Sequence, residues 1–282
     1  MWQPTDILHI TDLLGSNVDR AQVIRIQYAA ANPTITLSCT GAIEIVSIKD
    51  GKVIRSYRKD LVSASISVQS DANIPFAIYG NVTGLVANNN CLFDLSQNDT
   101  LELLNSANNS LLTSLNLSGR DALTDVNIMY CPNLTSVNLS GCSDLINVNF
   151  FKSTSLTTLI LSGTYENLDT VGLAYTAIQN LDLSSCENLT TLYIKETSAL
   201  QVLDFRSAHM TQLNVGNNPN IEQITCRATS SSVATRIATM INNATSTTGD
   251  VGVFASDPYA STIATAATNK GWLYHPITPS PQ

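Results

Sequence analysis

Apolar residues recur about every eleven positions through the middle of the chain, from residue 101 to residue 226. The frame is L-x-x-L-x-L, with apolar residues at its first, fourth and sixth places, as in Leu112-Thr-Ser-Leu115-Asn-Leu117. Successive frames from 112 to 221 start 10 to 12 residues apart, whereas every second frame, counted from 112, starts 21 or 22 residues after the last. The pattern therefore predicts a coil of about 22 residues made of two similar halves, a period within the range of leucine-rich repeats.

The two halves of each coil form two series. The A halves start at residues 101, 123, 145, 168, 189 and 210, and the B halves at 112, 134, 156, 178, 200 and 221. Alternate side chains of a strand point to opposite faces, so the fourth and sixth places should point inward and the third and fifth should face solvent. Neighbouring coils should pair their L-x-L segments in parallel. The regular Thr/Ser/Asn ladder of the B halves predicts a sheet there, and spacing leaves open whether the A halves form a second one.

The residues before the repeats have a different pattern. A 3.6-residue apolar stripe over residues 5–14 predicts a short amphipathic helix in a lead-in of residues 1–19. Residues 20–81 carry short β-type runs between turn residues, and Asp50-Gly51 predicts a hairpin. These runs predict a small antiparallel β-sandwich of immunoglobulin-like type. They cover residues 23–28, 34–39, 42–48, 52–57, 63–68 and 76–80.

The repeats, in residues 82–227, are followed by two predicted helix–strand units in residues 228–275. Apolar residues from Val233 to Ile241 recur at helical spacing behind a serine cluster suited to capping. A strand over residues 250–255 should add one rung to the sheet. Asp257-Pro258 should open a second helix that reaches about residue 269, with a strand over residues 270–275 and a tail over 276–282. The predicted fold class is mainly β: a leucine-rich-repeat solenoid with a parallel sheet, an N-terminal immunoglobulin-like β-sandwich and a short C-terminal α/β cap.

The run Leu134-Thr-Ser-Val-Asn-Leu-Ser-Gly-Cys-Ser-Asp-Leu-Ile-Asn-Val-Asn-Phe resembles the leucine-rich repeats of Bacteroidetes surface proteins, in which L-T-x-L-D-V-S-x-N and L-x-x-L-x-C-x-x-N halves alternate. The passage Ile78-Tyr-Gly-Asn-Val-Thr-Gly-Leu resembles the exit from their N-terminal PKD-type β-domain. The resemblance covers about residues 20–275. The chain departs from the family in having Lys49-Asp50-Gly51 where W-G-D-G is common, fewer Asn at the ninth place, and no signal peptide. The resemblance implies an extracellular or cell-surface protein that adheres to, or captures, a glycan or a host protein.

Composition narrows the classes of partner. Charged residues make up only 13% of the chain and the net charge is −8, so we expect neither nucleic acid nor an anionic membrane as a partner. No apolar run approaches the ~20 residues of a membrane span. The start Met1-Trp-Gln-Pro-Thr-Asp lacks the regions of a signal peptide. That start and a nearly uncharged Ser/Thr/Asn surface motivate an alternative: a bacteriophage virion component (tail, fibre or capsid-decorating protein) of a Bacteroidetes host. Assembly into a homo-oligomer or a virion stays open.

The sequence carries no motif for catalysis, a metal or a cofactor, and we expect a non-enzymatic protein. The histidines, His9, His209 and His275, fall in three different modules, and GxSxG, P-loop, HExxH and CxxC motifs are absent. Asp182 and Asp204 share the fifth place of consecutive B halves, so their carboxylates should lie side by side. A cation site or an acid–base pair is the alternative there to a solvated polar ladder, which we favour.

Three of the six cysteines occupy the ninth place of a repeat: Cys131, Cys142 and Cys186. In leucine-rich repeats that place holds an inward side chain that bonds the backbone of the turn. Because Cys is among the most buried residue types, buried free thiols are a simpler interpretation of these positions than disulfides.

A binding surface is predicted on the A halves. Phe151 and Lys195 occupy the seventh place, Tyr130 and Tyr175 the eighth, and Tyr193 the fifth. On adjacent coils these side chains should form an exposed aromatic strip on a Ser/Thr/Asn surface. Exposed aromatics beside amides and hydroxyls suit stacking on sugars or anchoring a protein. For Phe151 the alternative is burial in the core under a corner.

Overall fold

The computed structural model describes residues 18, 19 and 21–278 of the 282-residue chain. The helix predicted over residues 5–14 and the end of the predicted tail lie outside the described residues. The chain is mainly β, with parallel sheets in a repeat-like arrangement. It divides into two compact units, one ending at Leu112 and the other beginning at Thr113.

The first unit is built around one long strand, β5, which pairs antiparallel with β1 and β2 and parallel with β7. This strand crosses the domain border predicted between residues 81 and 82. Strand β6, which the sequence pattern did not predict, pairs antiparallel with β1. The strands of this unit are β1 (Val23–Tyr28), β2 (Thr34–Ser47), β3 (Val53–Tyr57), β4 (Leu61–Ser67), β5 (Phe76–Val86), β6 (Cys91–Gln97) and β7 (Leu103–Ala107).

Strand β2 corrects the prediction of two strands separated by a turn at Thr40-Gly41. It is one strand of 14 residues, and its register opposite β5 shifts between Thr40 and Glu44. Gly41 takes a φ of 77° there, as glycines do at bulges that bend a strand without ending it. The hairpin predicted at Asp50-Gly51 is confirmed, because β2 and β3 pair antiparallel on either side of it.

The second unit repeats short parallel strands. They are β8 (Ser114–Asn116), β9 (Asp125–Met129), β10 (Ser136–Asn138), β11 (Asn147–Asn149), β12 (Thr158–Ile160), β13 (Thr170–Gly172), β14 (Asn180–Asp182), β15 (Thr191–Tyr193), β16 (Val202–Asp204), β17 (Gln212–Asn214) and β18 (Gln223–Cys226). Like places pair with like: Val148 lies opposite Val126 on one side and Val171 on the other. The predicted parallel pairing at a period of about 22 residues is confirmed.

The A halves form a five-stranded sheet in this unit, in the order β17-β15-β13-β11-β9, which we call the A sheet. The B halves form two sheets, β12-β10-β8 and one beginning β14-β16-β18. The prediction that the B halves build the sheet was therefore incomplete. The break between β12 and β14 coincides with the half that is one residue longer. There Tyr165 is fully buried and donates its hydroxyl to the carbonyl oxygen of Leu139 at 2.8 Å.

Ninth-place side chains hold successive repeats together. Four of them donate to the carbonyl oxygen at the sixth place of the preceding half of the same series. The pairs are Cys142 Sγ to Leu117 (3.0 Å), Ser153 Oγ to Ile128 (3.2 Å), Thr197 Oγ1 to Leu173 (3.0 Å) and Asn218 Nδ2 to Ile194 (2.7 Å). Any short buried donor satisfies this carbonyl, which accounts for the low number of Asn at the ninth place. Cys131, Cys142 and Cys186 are fully buried, and none of the three lies in a disulfide.

The chain continues with α1 (Ser231–Asn243), β19 (Asp250–Phe254), α2 (Ala260–Lys270) and β20 (Leu273–Ile277). Strands β18, β19 and β20 pair in parallel, which confirms the additional rung. Two details differ from expectation. Helix α2 begins at Ala260, two residues after Pro258, because the Asp257 carboxylate is held by Arg227 and by the backbone N–H of Ala228 (2.7 Å). Strand β20 includes two residues assigned to the tail. Neither helix of the described residues is long and apolar enough to cross a bilayer.

Candidate functional site

A groove of about 510 Å³ lies on the solvent-facing side of the A sheet. Its lining begins at Asp125 and Asn127 on β9 and ends at Asn214 on β17, so it crosses all five strands. The lining side chains come mainly from the third, fifth and seventh places, which the repeat directs away from the core. The groove is therefore a product of the A halves.

Gly172 lies at the centre of this face. It is the fifth-place residue of β13 and stands between Asn149 on β11 and Tyr193 on β15. A Cβ added at Gly172 would lie 2.7 Å from Asn149 Oδ1, closer than real Cβ atoms come to a neighbour. The Asn149 amide therefore occupies the place that a side chain at Gly172 would need.

The predicted aromatic residues meet at this groove. The rings of Tyr130 and Phe151 pack edge-to-face with centroids 5.5 Å apart, and those of Phe151 and Tyr175 do so at 5.6 Å. Phe151, Tyr175, Tyr193 and Lys195 line the groove, and Tyr130 lies against Phe151. Tyr130 and Tyr193 are 41% and 38% exposed. Phe151 is half-buried, so its ring serves both the corner packing and the surface.

Lys152 belongs to the same cluster, although the sequence reasoning did not single it out. Its Nζ lies 5.5 Å from the ring centroid of Tyr130, 5.4 Å from that of Phe151 and 5.6 Å from that of Tyr175. Ring faces attract cations at such distances. The signal was present in the sequence, because Lys152 occupies the eighth place between Tyr130 and Tyr175 in neighbouring A halves. We call Tyr130, Phe151, Lys152 and Tyr175 the aromatic cluster.

The eighth place of the A halves has an unusual backbone. Residues other than glycine take a positive φ there: Tyr130 (54°), Lys152 (57°), Tyr175 (62°), Glu196 (59°) and Asn217 (53°). A residue with a Cβ pays about 1–2 kcal/mol for this left-handed conformation. Three B halves place glycine at the equivalent corner: Gly119 (74°), Gly141 (74°) and Gly163 (128°). Glycine thus suits this corner, and the A halves keep side chains there against a conformational cost.

Fifth-place side chains close the corners of five halves. In Asn116, Asn138, Asn149, Asp182 and Asp204, Oδ1 accepts the backbone N–H two residues later at 2.9–3.2 Å, an Asx turn. Asn127 departs from this pattern. Among the described residues no donor reaches its buried Oδ1, which belongs to a residue that lines the groove. A buried acceptor without a donor costs about 1–3 kcal/mol, so Asn127 holds its place in the lining at a cost in stability.

The carboxylates of Asp182 and Asp204 are adjacent, as predicted. Both have local partners, however. The Ser184 hydroxyl and backbone N–H hold the pKa of Asp182 below its usual value, and Arg206 Nε donates to both oxygens of Asp204 at 2.9 and 3.1 Å. The described residues contain no group of three or more His, Cys, Asp or Glu side chains that could hold a metal ion. The pair accordingly belongs to the polar ladder of the B face.

Comparisons of the chain with protein-family models, with characterised proteins and with solved structures find no match. The assignment of a function consequently depends on the geometry of the groove and the aromatic cluster.

Proposed function

We propose that this chain is a non-enzymatic binding module that recognises a glycan or a protein through the groove and aromatic cluster of its A sheet. The proposal includes a leucine-rich-repeat solenoid of the Bacteroidetes surface type with an N-terminal immunoglobulin-like sandwich, acting in adhesion at a cell surface. One observation carries it: three rings in edge-to-face contact adjoin a groove of about 510 Å³ whose other lining residues are mainly asparagine and small or aliphatic residues. Pockets of this volume with aromatic walls and a few polar groups are typical of ligand sites.

The contrast between the two faces supports this role. The B halves use their fifth-place Asn and Asp to close corners and their eighth-place glycines to turn without strain. The A halves replace these residues by Gly172 and Tyr193 at the fifth place, and by Tyr and Lys at the eighth. At the eighth place the tyrosines and Lys152 keep a positive φ that glycine adopts without strain. Side chains retained at a cost in stability are a recurrent feature of functional sites.

The proposal is tested with Tyr193→Ala and Tyr175→Ala, assayed on an array of purified glycans and a panel of purified host-surface glycoproteins. Tyr193 lies at the rim and is 38% exposed, so its removal should leave the fold intact and weaken binding about tenfold, which corresponds to about 1.4 kcal/mol. Ile160→Ala is the matched control, since Ile160 holds the fifth place of a B half and is 41% exposed. Equal binding by both tyrosine variants and the control would contradict the proposal.

A further inference from the structure

We infer that the groove binds a linear, uncharged oligosaccharide laid across the strands of the A sheet. In this arrangement one sugar ring stacks on Tyr193, and the amides of Asn127 and Asn149 bond sugar hydroxyls. The inference rests on the proposed binding function of the same groove, and it names the ligand class.

The dimensions of the groove fit such a chain. Its lining comes from five parallel strands, which at about 4.8 Å between neighbours span about 19 Å from first to last. An extended glycan advances by about one ring width per residue, a distance close to the strand spacing. The fifth-place residues along the groove repeat with the same spacing: Asn127, Asn149, Gly172, Tyr193 and Asn214. The groove therefore has room for three or four rings in register with the strands.

The chemistry of the lining matches hydroxyls. Asparagine side chains both donate and accept, as sugar hydroxyls do, and four asparagines line the groove: Asn127, Asn147, Asn149 and Asn214. The exposed ring of Tyr193 offers an apolar face to the C–H side of a pyranose. Asp125 and Lys195 are the charged side chains of the described lining, and their charges cancel. This balance favours an uncharged ligand over an anionic one.

A peptide fits this surface less well. Each of β11, β13 and β15 has a parallel partner on both sides, so their backbone N–H and C=O groups are engaged within the sheet. An extended peptide lying on the face could not add as a strand, which is how main-chain recognition gains affinity. An amphipathic helix needs a continuous row of apolar pockets, whereas asparagines and Thr170 interrupt the apolar lining of this groove.

The test is calorimetric titration of the full chain with linear gluco-, manno-, xylo- and galacto-oligosaccharides, each graded from monosaccharide to hexasaccharide. For at least one series, affinity should rise with each added ring until the groove is filled at about four rings, and then stay level. Tyr193→Ala should weaken binding of the longest member about tenfold, and Gly172→Ser, which fills the centre of the groove, should abolish it. Ile160→Ala on the opposite face should bind like the parent chain.

Because Gly172→Ser displaces Asn149 and can disturb the sheet, Asn127→Leu serves as a second variant that leaves Gly172 and Asn149 unchanged. It should also weaken binding about tenfold. The inference is overturned if no series binds, if affinity is the same for one ring and for four, or if binding survives in Tyr193→Ala and Asn127→Leu alike. A purified glycoprotein that binds through Tyr193 equally well after enzymatic removal of its glycans would overturn the inference and leave the proposed binding function standing.

Discussion

The corner at the eighth place allows the conformational cost on the A face to be measured. Gly119 and Glu196 occupy equivalent corners, because the N–H of each donates to the seventh-place carbonyl of the next half of its own series, at 2.8 Å in both cases. Gly119 has a φ of 74°, and a Cβ added there meets no atom within 4 Å. Gly119→Ala therefore changes the backbone energy alone. The left-handed conformation should cost about 1–2 kcal/mol, and the stiffer unfolded chain should return about 0.4–1 kcal/mol, so we expect a loss of about 1 kcal/mol.

The reciprocal experiment compares Glu196→Gly with Glu196→Ala. Both variants lose the hydrogen bond that Glu196 accepts from the Asn217 amide, so the difference between them isolates the backbone term at a φ of 59°. The glycine variant should be more stable than the alanine variant by about 1 kcal/mol, the amount that Gly119→Ala loses. The assay is equilibrium urea unfolding followed by circular dichroism, with comparison restricted to variants of equal m-value. Equal stability of Glu196→Gly and Glu196→Ala, beside a loss of about 1 kcal/mol for Gly119→Ala, would show that the A-face corners carry no strain. The assignment of Tyr130, Lys152 and Tyr175 to a functional site would then lose that support.

Two further predictions concern buried groups. Burial raises the pKa of the Cys186 thiol to about 11; little thiolate therefore exists at pH 8, and iodoacetamide followed by mass spectrometry should label Cys186 only after unfolding. Asp257, whose side chain is 2% exposed, pairs with Arg227 at 2.9 Å, so Asp257→Ala should cost about 3 kcal/mol in urea unfolding by leaving a cation without its partner. Asp204→Ala is the control, because its partner Arg206 is 50% exposed, and it should cost about 1 kcal/mol or less.

Each of these two predictions has an outcome that would contradict it. Labelling of Cys186 in the native protein as fast as in urea would show that the ninth place opens readily to solvent. Equal losses for Asp257→Ala and Asp204→Ala would show that the turn before α2 does not depend on the buried ion pair.

The period of the apolar residues determined much of the fold in advance. Val126, Val148 and Val171 stand opposite one another because each occupies the fourth place of its half, and a slip of one residue would turn all of them towards solvent. Single residues predicted the local structure less well than the period of the apolar residues did. A glycine at a positive φ serves a turn or a bulge equally well, so Gly41 was assigned to a turn although it lies within β2.

The candidate site could be predicted only in part, because several of its features arise between strands. Tyr130 and Tyr175 were identifiable from their residue type and their eighth place in the repeat. The position of Lys152 among three rings depends on residues one coil away on each side. The position of the Asn149 amide depends on the missing side chain at Gly172, and a glycine in a short strand gives no indication of which neighbour lies over it. The unpartnered Oδ1 of Asn127 depends on the orientation of one amide.

The residues by which the A halves differ from the B halves indicate one selective pressure. A repeat that had to maintain only its own stack would place Asn or Asp at every fifth place and Gly at every solvent-facing corner, as the first B halves do with Asn116, Asn138, Gly119 and Gly141. The A halves share the same apolar core, and Ser153, Thr197 and Asn218 make the ninth-place hydrogen bond that Cys142 makes in a B half, so their stacking does not require different surface residues. Their deviations concentrate on the strands from β9 to β15, around one groove, and those at the eighth place keep a positive φ at a conformational cost. Selection for a ligand explains why such residues would persist together on one face, whereas selection for stability alone would have removed them.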